Sequence, residues 1–175
     1  MIENTLFKIP YWSMSSLNFK EKKIEVEKLL KNYPETKQGK QTFLTNRSVP
    51  KPNFADTFVK LFKEEFAVLS NVIKRDFRIN DIWSVSYKKG DHHPPHNHGS
   101  TGLSGILYLD MNDQAPMTSY IQPWNDYVSD NTIYSEISVG EGDIIVIPQF
   151  VQHFSSPNTS KNIKRIVSWD MSFTS

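Results

Sequence analysis

Ile82-Trp83-Ser84-Val85-Ser86-Tyr87, Lys88-Lys89-Gly90-Asp91, His92-His93-Pro94-Pro95-His96-Asn97-His98 and, after a short link, Leu103-Ser104-Gly105-Ile106-Leu107-Tyr108-Leu109 form the stretch on which the fold turns. Its first and last segments are short runs of strand-forming residues bounded by turn residues, and they read as two strands. Between them lies a link rich in histidine and proline. Four of the five histidines of this 175-residue chain fall between His92 and His98, and the fifth is His153. Imidazole is the commonest protein ligand for a mid-transition metal, so a chain that spends every histidine on two short stretches is expected to gather them around one ion.

Working outward, the pattern downstream stays strand-like. Candidate strands are Ile82–Tyr87, Leu103–Leu109, Thr118–Ile121, Ile133–Ser138, Asp143–Ile147, Val151–Phe154 and Ile163–Ser172, punctuated by Asn112-Asp113 and Gly140-Glu141-Gly142-Asp143. Upstream the pattern is helical. Lys20 to Lys31 reads as a short amphipathic helix with Ile24, Leu29 and Leu30 apolar. A longer helix starts near Asn53, an expected N-cap with Asp56 three residues on. Phe58, Phe62, Phe66, Leu69 and Ile73 recur at steps of three and four, which lays one aromatic-rich face against a sheet. Short strands after helices predict a mainly β protein, an antiparallel sandwich or barrel with the N-terminal helices packed on one sheet. The chain is expected to be one domain, with 1–81 as a helical buttress and 82–175 as the core that carries the site. The segment Met111 to Thr132 is long and irregular for a connection, and a lid over the site is one candidate role.

Bulk composition excludes several function classes. The chain is 38% hydrophobic and 22% charged with a formal net charge of +1, which gives no clustered basic surface for nucleic acid. No apolar stretch approaches the roughly 20 residues of a membrane span. The start lacks the basic-then-apolar pattern of a secretory signal. There are no cysteines, so disulfides and thiolate metal sites are excluded, and the expected location is cytoplasmic. A metal here must be held by nitrogen and oxygen.

His96 and His98 are two apart, so in an extended segment both imidazoles reach one side. His153 follows the apolar run Asp143-Ile144-Ile145-Val146-Ile147 and Pro148, bringing a third ligand from a distant strand. Three ligands on one face leave positions open, as a catalytic non-haem iron site requires. His92 and His93 are expected to stay outside the ligand set. The spacings Gly90-x5-His96-x-His98 and Gly142-x5-Pro148-x4-His153 make a two-part pattern stronger than either half.

The stretch Trp83 to Met171 resembles the 2-oxoglutarate- and Fe(II)-dependent dioxygenases. Within them it is most similar to a small branch related to prolyl 4-hydroxylases and found in marine bacteria and phages. The resemblance rests on Tyr87-Lys88-Lys89-Gly90, His96-Asn97-His98, Leu103 to Leu109, Glu141 to Pro148, His153, and Arg165-Ile166-Val167-Ser168-Trp169-Asp170. It covers about half the chain. It implies a double-stranded β-helix, also called a jelly roll, with Fe(II), 2-oxoglutarate and O2 as metal and co-substrates. Carried over, His96 is the first ligand, His98 stands where the family has a carboxylate, and His153 is the distal ligand. An alternative leaves His98 aside and gives the third position to water or to Asp91. The resemblance also implies a basic residue on the last strand for the distal carboxylate of 2-oxoglutarate. Arg165, twelve residues after His153, is expected there, pointing inward together with Val167 and Trp169. Tyr108 and Tyr87 match inward tyrosines, Tyr108 as a hydrogen-bond donor to the same carboxylate.

Two other readings stand beside this one. The His spacings also fit the cupin motifs, although the usual glutamate ligand is absent and Phe150 replaces the usual glycine of the second motif. A three-histidine cupin metalloprotein would use no 2-oxoglutarate. A structural jelly roll, such as a phage particle component, has no need for gathered imidazoles. The prime substrate is left open between a protein or peptide side chain and a small molecule, as is the oligomeric state. Trp124 and Tyr127 are candidates for a substrate mouth.

Overall fold

Residue alternation along four neighbouring strands divides the protein into two cores, and that division positions the site. The computed structural model describes residues 8–174. Its elements in chain order are β1 (Trp12–Ser15), α1 (Phe19–Lys31), β2 (Thr36–Lys37), β3 (Leu44–Thr45), α2 (Phe54–Leu61), α3 (Lys63–Ile73), β4 (Phe77–Tyr87), β5 (His93–His96), β6 (Leu103–Asp110), β7 (Thr118–Ile121), β8 (Tyr134–Glu136), β9 (Asp143–Pro148), β10 (His153–Ser155) and β11 (Lys164–Phe173). One sheet has seven strands in the order β1-β9-β6-β11-β4-β3-β2, and the other has four in the order β5-β10-β7-β8. The recorded pairings are antiparallel, and the helices pack on the outer face of the larger sheet. This is the mainly β architecture with N-terminal helices that the sequence predicts.

Side chains of a strand alternate between its faces. Ile82, Leu103, Leu107, Ile144, Val146, Val167, Trp169 and Met171 join Phe54, Phe58, Phe62, Phe66 and Leu69 in a core between sheet and helices. The intervening residues Trp83, Val85, Tyr87, Ile106, Tyr108, Ile145, Ile147 and Ile166 fill a second core between the sheets. Trp169 anchors the first core, its ring centroid 5.4 Å from Phe58 and 5.7 Å from Phe66. Its indole lies across Gly105, its register partner on β6, where a Cβ would overlap the ring.

The structure departs from expectation in three places. The segment 1–81 is not purely a helical buttress, because β1, β2 and β3 extend the larger sheet at both ends. These strands of two to four residues are too short to show a period of their own; β1 and β3 are held by the distant β9 and β4, and β2 pairs with β3. The single long helix is two, α2 and α3, broken at Phe62 (φ −107°, ψ 29°), yet the phenylalanine face continues across the break. Asn53 does occupy the N-cap position of α2, but its side chain makes no capping hydrogen bond and its backbone is left-handed. Among the described residues no helix is long and apolar enough to cross a membrane.

Candidate metal centre

The three histidines converge through strand register and one loop crossing. On β10, His153 lies opposite His96 of β5 on one side and Tyr120 of β7 on the other. His98 lies two residues beyond β5, where its N–H donates to Gln149 O (3.0 Å) and ties the chain to the end of β9. The imidazole of His98 stacks on Trp83 of β4, with centroids 5.5 Å apart and planes at 24°. Ring centroids of His96 and His153 are 4.4 Å apart, those of His98 and His153 5.1 Å, and those of His96 and His98 5.3 Å. One ring nitrogen from each lies within 4.8 Å of the others, so the trio offers a common nitrogen-donor site.

Hydrogen bonding leaves the same nitrogen free on each ring. His96 Nδ1 lies 2.9 Å from Pro94 O and His153 Nδ1 3.1 Å from Val151 O. A carbonyl oxygen can only accept, so both rings carry their proton on Nδ1 and keep the Nε2 lone pair for a ligand. His98 Nδ1 lies 2.6 Å from Asp170 Oδ1, and His98 Nε2 is buried with no hydrogen-bond partner. An orphaned buried nitrogen beside two others with free lone pairs fits a mid-transition ion. Burial, followed by neighbouring imidazoles, pushes His153 down to about 3, and burial likewise lowers His96. The His96 and His153 rings are therefore held toward the neutral form, the form that binds metal.

The other two histidines are not members of that cluster. His93 lines the same cavity, stacks on His96 with centroids 3.8 Å apart, and has Nδ1 3.4 Å from Tyr87 Oη. His92 is held by its backbone, with Thr42 Oγ1 accepting from its N–H and donating to its carbonyl. Asp91, the alternative carboxylate, accepts the N–H of Lys88 in the turn after β4 and is not in the ligand cluster.

Deeper in the cavity the expected arginine is replaced by its neighbour. Arg165 shares a face with Val167 and Trp169, as expected, but that face is turned to the helices. Its guanidinium pairs with Asp110 and with Glu27 of α1 (2.7 Å) outside the inter-sheet cavity. The physical reason is partition of the last strand's two faces. The apolar set Val167, Trp169 and Met171 covers the phenylalanine face of α2 and α3, and the polar set Lys164, Ser168 and Asp170 turns toward the metal site.

Lys164 is fully buried in that cavity and donates to Pro116 O (2.7 Å) and Ser155 Oγ (3.2 Å). Its Nζ lies 5.5 Å from the ring centre of Tyr87 and 5.9 Å from that of Tyr108. Burial, partly offset by Glu136, lowers its ammonium to about 8. Tyr108 Oη donates to Thr118 Oγ1 (2.9 Å), and burial raises both tyrosine hydroxyls above their usual range. His96, His98, His153, Tyr87 and Lys164 thus line one cavity, with Thr118 and Ser155 as further polar lining. Sequence reasoning missed Lys164 and Asp170. The available signal was the greater apolarity of the odd-numbered residues on the last strand, which suits a helix-covered face.

The segment 111–132 does not form a lid over this cavity. Of its residues only Thr118 lines it, while Tyr127 is 98% exposed. Trp124 lines a separate apolar groove with Ile9, Pro10 and Tyr120.

No curated protein sequence matches the chain. Solved structures match its fold at low identity. An oxidoreductase of the 2OG-Fe(II) oxygenase family from Burkholderia pseudomallei superposes with a TM-score of 0.71 at 10% identity, covering 93% of this chain and 84% of that one. HygX from Streptomyces hygroscopicus, with nickel, 2-oxoglutarate and hygromycin B bound, gives 0.70 at 10% identity, covering 94% and 83%. A Pseudomonas putida prolyl-4-hydroxylase gives 0.63 at 11% identity, covering 93% and 92%. The sequence model of the family described as "Putative 2OG-Fe(II) oxygenase" matches residues 81–170, from the middle of β4 to Asp170 and through all three histidines. That match spans about half the chain, and the protein belongs to the 2OG-Fe(II) oxygenase family, whose metal is Fe(II) and whose co-substrate is 2-oxoglutarate.

Proposed function

We propose that the protein is a hydroxylase in which His96, His98 and His153 hold Fe(II) and Lys164 receives the distal carboxylate of 2-oxoglutarate. The observation that carries this reading is a fully buried ammonium in the cavity lined by the three histidines. A buried cation is costly unless paired with an anion, and a carboxylate is the anion this co-substrate brings. When bound, iron and 2-oxoglutarate supply the oxidative chemistry, in which O2 is consumed, 2-oxoglutarate is decarboxylated to succinate and a C–H bond is hydroxylated.

The chain's own residues bind, orient and exclude water. The three imidazoles bring their ring nitrogens together to hold one ion. Tyr87 and Tyr108 flank the ammonium with ring faces, which favours the cation without neutralising it. Thr118 and Ser155 offer hydroxyls beside it. Val85, Ile106 and Ile166 line the cavity as apolar walls. Lysine engages a carboxylate as a point charge, whereas arginine would offer a bidentate fork, so orientation falls to the surrounding hydroxyls. The prime substrate is a protein or peptide side chain or a small molecule, since the fold is shared with a prolyl-4-hydroxylase and with HygX, which has hygromycin B bound. The cupin reading has no use for Lys164.

The test is anaerobic titration of Fe(II)-loaded protein with 2-oxoglutarate, following the weak visible charge-transfer band of the chelate. The band should appear in the wild type and weaken in Lys164→Ala. Iron binding without a band in the wild type would remove the co-substrate assignment and leave the cupin reading.

A further inference from the structure

Asp170 is a buried carboxylate attached to the metal site through one imidazole. Its Oδ1 lies 2.6 Å from His98 Nδ1 and accepts Ser104 Oγ–H at 2.7 Å. Its Oδ2 faces the Arg47 guanidinium at 3.5 Å, and Arg47 also reaches Asp81 at 3.5 Å and covers the Trp83 ring at 4.0 Å. His98 is therefore clamped at its edge by Asp170 and on its face by Trp83. Of the three clustered imidazoles, His96 and His153 donate to neutral carbonyls, and His98 meets an anion.

We infer that Asp170 is a positioning residue that acts through His98. It holds the ring in the Nδ1–H form, aims Nε2 at the ion, and supplies the negative charge that an all-imidazole ligand set lacks. A carboxylate that accepts from the outer nitrogen raises the basicity of the inner one, because it stabilises the partial positive charge the ring acquires on coordination. Ser104 fixes the carboxylate's rotation, and Arg47 holds its second oxygen at a longer distance. The anion normally expected beside a divalent ion thus stands one imidazole farther out, which keeps every bond to the protein a nitrogen bond and leaves Asp170 unable to occupy a coordination position.

This inference rests on the metal-centre reading, and its test separates the two. The probe is Co(II), titrated anaerobically at fixed pH into wild type, Asp170→Asn and His153→Ala, with affinity from chelator competition and the visible Co(II) spectrum as the signature. Loss of an outer partner of a ligating histidine commonly costs 10- to 100-fold in metal affinity, so Asp170→Asn should bind Co(II) about that much more weakly, with a shifted spectrum. Long-range 1H–15N NMR of the metal-free protein reads the tautomer directly: wild-type His98 should carry its proton on Nδ1, and Asp170→Asn should show a population on Nε2. Unchanged Co(II) affinity in a folded Asp170→Asn protein would overturn the inference while leaving the centre intact. Failure of the wild type to bind Co(II), or full binding by His153→Ala, would overturn the centre itself. If Asp170→Asn does not fold, the wild-type tautomer decides alone, and a proton on His98 Nε2 overturns the assignment.

Discussion

Replacing Lys164 by methionine should separate stability from co-substrate binding. The side chain is 0% exposed, and burial brings its ammonium from the ordinary 10.5 to about 8. At about 1.4 kcal/mol per pKa unit, keeping that charge costs the fold about 3 kcal/mol at neutral pH. Methionine keeps a similar length and removes the charge. It also leaves Pro116 O and Ser155 Oγ without their donor, a loss of about 1–3 kcal/mol. The two effects oppose each other, so Lys164→Met should unfold in urea within about 2 kcal/mol of the wild type. Binding behaves otherwise, because truncating one partner of a buried charge pair costs about 2–5 kcal/mol, or roughly 30-fold to several thousand-fold in Kd for 2-oxoglutarate. Arg165→Met is the matched control. It loses half-exposed ion pairs to Asp110 and Glu27, worth about 1 kcal/mol or less each, and should bind 2-oxoglutarate as the wild type does. Calorimetric titration of the Fe(II)-loaded variants under argon, beside urea unfolding, reads both quantities. Retained affinity in Lys164→Met with loss in Arg165→Met would refute the reasoning, and with it the facing of the last strand.

Lysine titration should also be visible in pH dependence. The folded value, about 8, lies below the unfolded 10.5, so the unfolded chain binds more protons between them, and stability relative to Lys164→Met should rise as pH rises from about 8 toward 10.5. Over the same range 2-oxoglutarate affinity should fall about tenfold per pH unit, and Lys164→Arg should flatten that slope because guanidinium stays charged. Gly105→Ala places a methyl group against the Trp169 indole and should cost about 1–3 kcal/mol in urea unfolding, while a neutral result would show that β6 and β11 can part. Phe58→Ala opens a cavity beneath Trp169 at a fully buried site and should cost about 3–5 kcal/mol by the same assay, with metal binding retained if the helices only buttress the sheet.

Much of this protein is legible along its chain. Histidines gathered in two stretches announced a nitrogen-donor centre because chemistry limits which side chains can hold a metal, and His96, His98 and His153 do meet. The phenylalanine face of α2 and α3 followed from helical period alone, and β7 runs over the same residues as its candidate strand. The strands β1, β3 and β5 escaped notice because their hydrogen bonds run to partners far away in sequence, and β2 because it is two residues long and pairs with β3.

The last strand shows where local pattern stops. Alternation places Arg165 with Trp169 and Lys164 with Ser168, but a period of two has no sign: it separates two faces without saying which one lies inside. Helix packing supplies that sign, since Trp169 must cover Phe58 and Phe66, which turns Arg165 to α1 and Lys164 into the cavity. The contact of Asp170 with His98 spans 72 positions and exists only once β11 has entered the sheet beside β4 and β6. Residue types therefore determined that His96, His98 and His153 are the candidate nitrogen donors, and the fold gathers them. Tertiary packing decided which charge enters the cavity and which carboxylate meets His98, because burial of the larger apolar face of the last strand against the helices turns Lys164, Ser168 and Asp170 to the other side.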